Sequence, residues 1–245
     1  MKLKPKPGGP EMTAALAHPY VHKIVDILMR VLGNTFFKDV ASFLTTYYHA
    51  TQLDFVEALD DLRTNFRVFP NENGLFTPPT DIDELIQTLE ALYQQDEKLV
   101  GFQRGAIVEL LTARLVSLRY RPRECLSNQC FVDRRGREIT GQIDIAAFSD
   151  DKNRAEGYEC KMKASGTFGL ASEDCDNLRA LVKAAQAEEY FVHVGVVSFD
   201  SKMFVKRKLK HFYAPSYIEA YGFESIGNLR YTPSYIKPED NIENL

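Results

Sequence analysis

Residues 190–199 restrict the fold more than any other stretch of the sequence, because they form an almost continuous apolar run. A strand with one solvated face alternates apolar and polar residues, whereas a strand buried on both faces has a run of this kind. We therefore predict a central strand here, in a sheet that is covered on both faces. His193 lies inside the run, and we expect it to be a hydrogen-bonded histidine of the core.

The segments before this strand define the fold class. Apolar spacing predicts a helix over residues 102–118, a strand region over 119–132, two strands around Asp144 and Glu159, and a helix over 172–189. Together with the apolar strand, the order is α-β-β-β-α-β. We predict an α/β domain over residues 99–213, followed by a C-terminal extension over residues 214–245.

The first hundred residues have a different, mostly helical pattern. Helices are predicted over residues 14–32, 36–48, 52–63 and 82–95, and a short β-hairpin over 66–77. The third helix has four apolar residues that we expect to face inward: Leu53, Val56, Leu59 and Leu62. We assign residues 1–13 to a disordered arm and residues 14–98 to a helical domain.

Two interpretations of residues 14–98 stay open. Three helices followed by a hairpin is the element order of a winged helix-turn-helix, in which the third helix reads DNA. The third helix here is acidic, however, and carboxylates are repelled by phosphates. The alternative is a helical packing domain or a docking domain for a protein partner.

Charge is divided unevenly along the chain, although the net charge is only −4. Residues 1–100 hold 9 Lys and Arg against 14 Asp and Glu, whereas residues 101–213 hold 19 against 15. No apolar run approaches the roughly 20 residues needed to cross a bilayer, and the start of the sequence lacks the apolar core of a signal peptide. We expect a cytoplasmic protein without a membrane partner. The four cysteines lack metal-ligand spacing, so we expect reduced thiols and no zinc site.

Three ionisable residues are predicted to share one face of the sheet. Asp144 stands between two isoleucines on the same strand, so its side chain points to the face opposite theirs. Glu159 and Lys161 are two residues apart on the next strand and therefore point the same way. If the two strands are neighbours, two carboxylates and one ammonium group lie in one small area.

This combination favours phosphodiester hydrolysis assisted by a hard cation. Mg²⁺ prefers oxygen ligands and is typically held by one or two carboxylates together with the substrate phosphate. Asp144 and Glu159 would supply the carboxylates, and Lys161 would orient a water molecule or stabilise the charge that grows on phosphorus. The alternative for Glu159 and Lys161 is an exposed ion pair of little energetic consequence.

The residues Gln142-Ile143-Asp144 and Glu159-Cys160-Lys161, within the predicted α-β-β-β-α-β order, resemble the PD-(D/E)xK nuclease superfamily, which includes restriction endonucleases. The resemblance covers about residues 101–200, and Gln142-Ile143 stands where the motif has proline. It implies a restriction endonuclease-like fold in which Asp144 and Glu159 bind the metal, the Cys160 carbonyl adds a ligand, and Lys161 is catalytic. It also implies a further carboxylate from the preceding helix, for which Glu109 is the match.

The same resemblance implies a nuclease that depends on Mg²⁺, with Mn²⁺ as a substitute, and a homodimer if it cuts duplexes. Lys163 follows Lys161 and would contact a phosphate; a solvated lysine is the alternative. The basic run after the apolar strand would line a groove for the nucleic acid backbone: Lys202, Lys206, Arg207, Lys208 and Lys210. We expect the nucleic acid to be DNA, although these residues do not distinguish DNA from RNA.

Two other functions compete with a nuclease. The same fold could act as a catalytically silent scaffold or regulatory subunit of a nucleic-acid-processing complex, although the complete set of Asp144, Glu159 and Lys161 argues against loss of activity. Alternatively, residues 14–98 could carry the main function as a winged-helix DNA-binding regulator. Metal binding distinguishes the first alternative from a nuclease, and DNA footprinting of the N-terminal segment tests the second.

Overall fold

A computed structural model describes residues 1–32, 35–68, 78–166 and 169–242 of the chain. Two compact units account for these residues: residues 9–111, and residues 112–245 together with residues 1–8. The predicted boundary lay between residues 98 and 99, whereas the units divide inside a long helix, after Leu111.

The unit of residues 9–111 is helical. Its helices are α1 (Pro10–Leu16), α2 (Pro19–Val31), α3 (Thr35–Thr46), α4 (Phe55–Val68), α5 (Pro79–Tyr93) and the larger part of α6 (Glu97–Ser117). The apolar faces of α2 and α5 supply many of its fully buried side chains, among them Ile24, Leu28, Ile82 and Leu85. Phe43, Phe55 and Tyr93 form an aromatic cluster with ring centroids 5.1–5.7 Å apart.

Two features of the helical prediction are wrong, and both have local causes. The segment 14–32 is not one helix, because Pro19 forces His18 into an extended conformation with ψ 133° and so separates α1 from α2. Leu53 and Val56 do not face inward; they are 86% and 71% exposed. Asp54 has a positive φ of 64°, α4 begins only at Phe55, and its buried stripe runs through Phe55, Leu59 and Leu62.

The predicted β-hairpin is contradicted where the structure describes it. Residues 66–68 belong to α4, so they are helical and do not form the first strand of a wing. In the sequence, Phe66 comes four residues after Leu62 and continues the helical spacing of that stripe. The rest of the predicted hairpin, residues 69–77, lies outside the described residues.

The described residues of the second unit form a six-stranded mixed sheet. Its strands are β1 (Lys2–Pro5), β2 (Cys125–Val132), β3 (Ile143–Ser149), β4 (Arg154–Lys161), β5 (Phe191–Ser198) and β6 (Ile218–Tyr221), in that spatial order. The pairings of β1 to β4 are antiparallel, and β4–β5 and β5–β6 are parallel. Helix α7 (Ser172–Ala187) precedes β5, and α8 (Lys202–His211) follows it.

The chain order α6-β2-β3-β4-α7-β5 agrees with the predicted α-β-β-β-α-β order, and the protein is of mixed α/β class. The apolar run is the nearly fully buried strand β5, as predicted. His193 within it is a hydrogen-bonded core histidine, since Nδ1 lies 3.0 Å from the Ser234 carbonyl and Nε2 lies 2.9 Å from the Tyr221 hydroxyl.

Both ends of the chain contribute to the sheet, which the sequence did not predict. Residues 2–5 belong to the predicted disordered arm but form β1, in which Leu3 pairs with Phe131 and packs against the core. Lys6 strengthens the pairing through an ion pair with Glu138 at 2.6 Å. In the predicted C-terminal extension, β6 completes the sheet and Ile236 forms a bridge with Val192 on β5.

Helix α7 lies against the face of the sheet that includes Gly157. A Cβ atom at Gly157 would lie only 2.7 Å from Leu181 of this helix, so glycine permits the close approach of α7 to β4. The residues of β4 that share this face by alternation are Ala155, Glu159 and Lys161. The position of α7 therefore decides which groups surround the predicted site. None of the described helices is long and apolar enough to span a membrane.

Candidate active site

Asp144 and Glu159 lie on adjacent strands and on the same face. In the antiparallel pairing of β3 with β4, Ile145 is opposite Tyr158 and Ala146 is opposite Gly157. The next step of this register places Asp144 opposite Glu159. The structure thus brings together the two carboxylates that the alternation of the strands predicted.

Backbone and side-chain hydrogen bonds hold the Asp144 carboxylate. Its Oδ2 accepts a hydrogen bond of 2.7 Å from the backbone N–H of Cys160. Asp144 and Glu159 are also joined by a hydrogen bond between their carboxyl groups. Such a contact needs one proton between two acids, because two ionised carboxylates have no donor.

Burial makes both carboxyl groups harder to ionise. Burial raises the pKa of Glu159 well above its usual range, and the nearby Asp144 charge raises it further. The pKa of Asp144 is also raised, mainly by burial, but the Lys161 ammonium and the Cys160 N–H act against this effect. The pair as a whole is therefore harder to ionise than two isolated carboxyl groups.

The other oxygen of Glu159 is the most unusual atom of the site. Glu159 is only 2% exposed, and its Oε1 has no hydrogen-bond partner among the described residues. A buried polar atom without a partner costs about 1–3 kcal/mol, so such atoms are rare in folded proteins. A ligand that binds this oxygen would remove that cost.

Lys161 lies beside the two carboxylates at the end of β4. Its Nζ is 3.8 Å from Glu159 Oε2 and 3.2 Å from Asp174 Oδ1. Burial lowers the pKa of Lys161, but the carboxylates of Asp144, Glu159 and Asp174 together outweigh burial and raise it. The side chain is therefore a fixed positive charge at neutral pH.

Sequence analysis missed Asp174 as a residue of this site. It lies in the first turn of α7, where its Oδ2 accepts a hydrogen bond of 2.8 Å from the Ala171 N–H while its Oδ1 binds Lys161. In the sequence, Asp174 has the features of an ordinary helix start. Its second role depends on the path of the loop between β4 and α7, which local patterns do not determine.

Side chains from α7 and β2 form hydrogen bonds that hold the chain around Asp144 in place. Asn177 of α7 accepts a hydrogen bond from the Gly141 N–H at 2.8 Å and donates one to the Gln142 carbonyl at 3.3 Å. On β2, Asn128 has a positive φ of 53° and its side chain accepts from that of Gln142. The register of β2 and β3 places Asn128 opposite Asp144, so an uncommon backbone conformation adjoins the site.

The remaining predicted site residues have different surroundings. Glu109 is buried on α6, in agreement with its place on an apolar stripe. Cys160 is buried between Glu159 and Lys161, and Lys163 is half-buried just beyond the end of β4. The basic run lies on α8, where Lys206, Arg207 and Lys210 are exposed and Lys202 and Lys208 are half-buried.

The residues present fit a hard cation better than a transition metal. No group of three or more His, Cys, Asp or Glu side chains in the described ranges is arranged to hold a metal. Mg²⁺, however, commonly takes one or two protein carboxylates and keeps waters in its other positions. Asp144 and Glu159, with the unpartnered Glu159 Oε1, satisfy that smaller requirement.

The opposite face of the sheet carries a second polar cluster that the sequence did not predict. Glu156 of β4 is 0% exposed and forms a two-point ion pair with Arg119, at 2.5 and 2.8 Å. The hydroxyl groups of Tyr120, Tyr158 and Tyr235 also donate to the Glu156 carboxylate. Both of its oxygens have partners, so this carboxylate is structural.

The sequence matches no protein-family model, and no curated protein is significantly similar to it. Any functional assignment therefore rests on the residues and their geometry.

Proposed function

We propose that this protein is a metal-dependent nuclease that hydrolyses phosphodiester bonds in DNA, with a restriction endonuclease-like core of the PD-(D/E)xK type. The observation that carries the proposal is the buried Oε1 of Glu159, which has no described partner and lies in a carboxyl pair with Asp144, beside Lys161. An acid that served only the fold would be expected to have both oxygens paired.

Asp144 and Glu159 would hold the Mg²⁺ ion, and Mn²⁺ is expected to substitute for it. When bound, Mg²⁺ would supply positive charge that stabilises the phosphate and makes a water molecule more acidic. For the cation to bind, both carboxyl groups must be ionised, because metal ligands bind in their ionised form. The Cys160 carbonyl would be a further ligand, on resemblance alone.

Lys161 would act on the scissile phosphate. Its ammonium group is held at the edge of the carboxyl pair by Asp174, so its charge is in place before substrate binds. A preorganised charge stabilises the charge that develops on the phosphate oxygens without reorganisation during the reaction. Substrate would compete with Asp174 for Lys161, and Lys163 and the basic run on α8 would contact the backbone.

A silent scaffold is the second candidate function, and one observation favours it. The Lys161–Asp174 contact and the proton between Asp144 and Glu159 satisfy most of the polar atoms of the site within the protein itself. A protein that used this cluster only to stabilise the loop after β4 would need no metal. A measurement of DNA cleavage distinguishes a nuclease from a silent scaffold.

The test is cleavage of plasmid and linear DNA by the purified chain with Mg²⁺ or Mn²⁺. We expect cleavage that chelator abolishes and that Asp144→Ala and Lys161→Ala each reduce by at least about 100-fold. Asp176→Ala, which removes an acid of α7 that pairs with Arg179 away from the site, is the matched control. Cleavage that survives in both site variants, or no cleavage by the folded wild-type protein on DNA or RNA, would contradict the proposal.

A further inference from the structure

A second candidate binding site borders the edge strand β6. It is a cavity of about 700 Å³ between α8, β6 and the segments on either side of that strand. We call it the β6 pocket and define it by Lys202, Lys206, Lys210, His193, Tyr217 and Tyr235. Small-molecule sites generally measure about 300–1,000 Å³, so the size is suitable for one ligand.

One wall of the β6 pocket is a row of lysines. Lys202, Lys206 and Lys210 are four residues apart on α8 and therefore lie on one side of the helix, with a rise of about 6 Å at each step. Val205 and Leu209 of the same helix are buried in the core and fix its rotation. Arg207 and Lys208, which the sequence grouped with these lysines, do not line the cavity.

The charge in the β6 pocket is only partly balanced. Lys202 Nζ lies 3.7 Å from Glu219 Oε1, but Lys206 and Lys210 form no ion pair in the part of the chain that the structure describes. Asp240, the other acid of the lining, accepts a hydrogen bond of 2.8 Å from the Lys237 N–H and so caps a turn. The described lining thus holds three lysines against two acids, and neither Lys206 nor Lys210 is paired with one of those acids.

Aromatic side chains also line the β6 pocket, and two of them, His193 and Tyr235, are held by hydrogen bonds. The Tyr235 hydroxyl donates to the buried Glu156 at 2.5 Å, and the Arg154 guanidinium lies 5.0 Å from the centre of its ring. His193 is fixed by its bonds to Ser234 and Tyr221. Rings and lysines that line one cavity offer an apolar surface together with charge for an anion.

We propose that the β6 pocket binds a nucleoside phosphate, with the phosphate groups on Lys206 and Lys210 and the base against the rings of Tyr217 and Tyr235. This proposal does not need a nuclease site at Asp144 and Glu159, but it assigns Lys206 and Lys210 to a nucleoside phosphate instead of the DNA backbone. Asp144, Glu159 and Lys161 lie at the carboxyl end of β4, whereas His193 and Ile218 place the pocket toward the amino ends of β5 and β6.

Calorimetric titration of the full chain tests the proposal, with chelator present so that a metal at Asp144 and Glu159 cannot contribute. The probes are the 5′-diphosphates of adenosine, guanosine, cytidine and uridine, with pyrophosphate and adenosine as partial ligands. We expect at least one diphosphate to bind and the Lys206→Glu/Lys210→Glu variant to weaken it about tenfold or more. Lys183→Glu, the same kind of replacement at a single exposed site on α7, should leave binding unchanged.

A separate variant tests whether the base contacts the aromatic residues of the pocket. Tyr217→Ala should weaken the nucleoside diphosphate by about tenfold and leave pyrophosphate binding as it was, since only the base contacts this ring. Absence of binding by all four diphosphates would overturn the proposal. Pyrophosphate that binds as tightly as every nucleotide would also overturn it, because the pocket would then be a site for simple anions.

Discussion

The surroundings of Glu159 show which features of the site a local sequence pattern predicts and which it does not. Period-two alternation predicts that Glu159, Lys161 and Asp144 share a face, since a strand allows only two side-chain directions. It does not predict the shared proton, the unpartnered Oε1 or the contact of Lys161 with Asp174, which depend on how α7 packs against β4. Residue identities were predictable from the sequence, whereas their protonation and partners were not.

Replacement of Asp174 by asparagine tests the link between α7 and Lys161. Asparagine keeps an acceptor for the Ala171 N–H but removes the negative charge 3.2 Å from Lys161 Nζ. The pKa of Lys161 should fall, so a larger fraction of its amine is free and reacts. Mass spectrometry of acetylated protein should show severalfold faster modification of Lys161 than in wild type.

Asp176→Asn on the same helix is the matched control and should leave the rate at Lys161 unchanged, because Asp176 pairs with Arg179. Equal acetylation of Lys161 in wild type and in Asp174→Asn would show that Asp174 does not set the charge of this lysine.

Glu156 should make stability depend on pH. Burial raises the pKa of Glu156, but Arg119 and the tyrosine hydroxyls outweigh burial and hold it below the usual value. A depressed folded-state pKa stabilises the protein above the unfolded pKa of about 4.3, and this contribution is lost as pH falls through the folded pKa. Glu156→Gln should therefore cost about 3 kcal/mol near neutral pH and less in acid.

Urea unfolding of both proteins across this pH range measures the difference. Glu57→Gln, at an exposed position on α4, should show no such cost. A loss of stability in Glu156→Gln that is equal at all pH values would mean that the ionised form of Glu156 does not stabilise the fold.

At the scale of elements, helices and strands with a strong period were predictable and their ends and partners were not. The run of β5 and the spacing of α5 and α7 are intrinsic to their sequences. By contrast, residues 2–5 form a strand only because β2 offers them an edge, and β6 is four residues long and depends on β5 for its pairing. Short edge strands have too few residues to show a period.

The close packing of α7 on β4 predicts a cost for any side chain at position 157. A Cβ there would lie 2.7 Å from Leu181 and 3.4 Å from Ile143, so Gly157→Ala should destabilise the protein by about 1–3 kcal/mol in urea unfolding. Leu181→Ala creates a cavity and is destabilising by itself, but the loss in the double variant should be smaller than the sum of the two single losses, because the two atoms no longer collide.

Gly101→Ala is the matched control, since a Cβ at this position of α6 meets nothing within 4 Å. It should be neutral or stabilising by up to about 1 kcal/mol, because alanine is the better helix former. A stability of Gly157→Ala equal to that of wild type would show that α7 moves away from β4 without cost.

Hydrogen exchange distinguishes a paired β1 from a disordered arm. The pairing of Leu3 with Phe131 and the 2.9 Å bond from the Lys6 N–H to the Asn128 carbonyl should slow exchange in peptides that cover residues 1–8. Mass spectrometry should detect protected amides there at times when exposed loops have fully exchanged. Complete exchange of residues 1–8 at the first time point would support the disordered arm that the sequence predicted.

At the scale of the whole molecule, the sheet of the second unit separates two kinds of chemistry. The face toward α7 carries an incompletely satisfied acid–lysine cluster, and the opposite face carries the fully paired Glu156. The sequence predicted the first cluster, since its residues follow one another on two strands. It missed the second, in which Arg119 and Tyr235 come from segments 37 and 79 residues from Glu156.

The central claim is that Asp144 and Glu159 hold a divalent cation, and calorimetric titration of the full chain with Mn²⁺ tests it most directly. We predict one binding site per chain, lost in Asp144→Asn and in Glu159→Gln and retained in Asp176→Asn. Because the pKa values of both carboxyl groups are raised and metal ligands bind in their ionised form, Mn²⁺ should bind more tightly as pH rises. Absence of Mn²⁺ binding to the folded wild-type protein, or binding that persists in both site variants, would contradict the account.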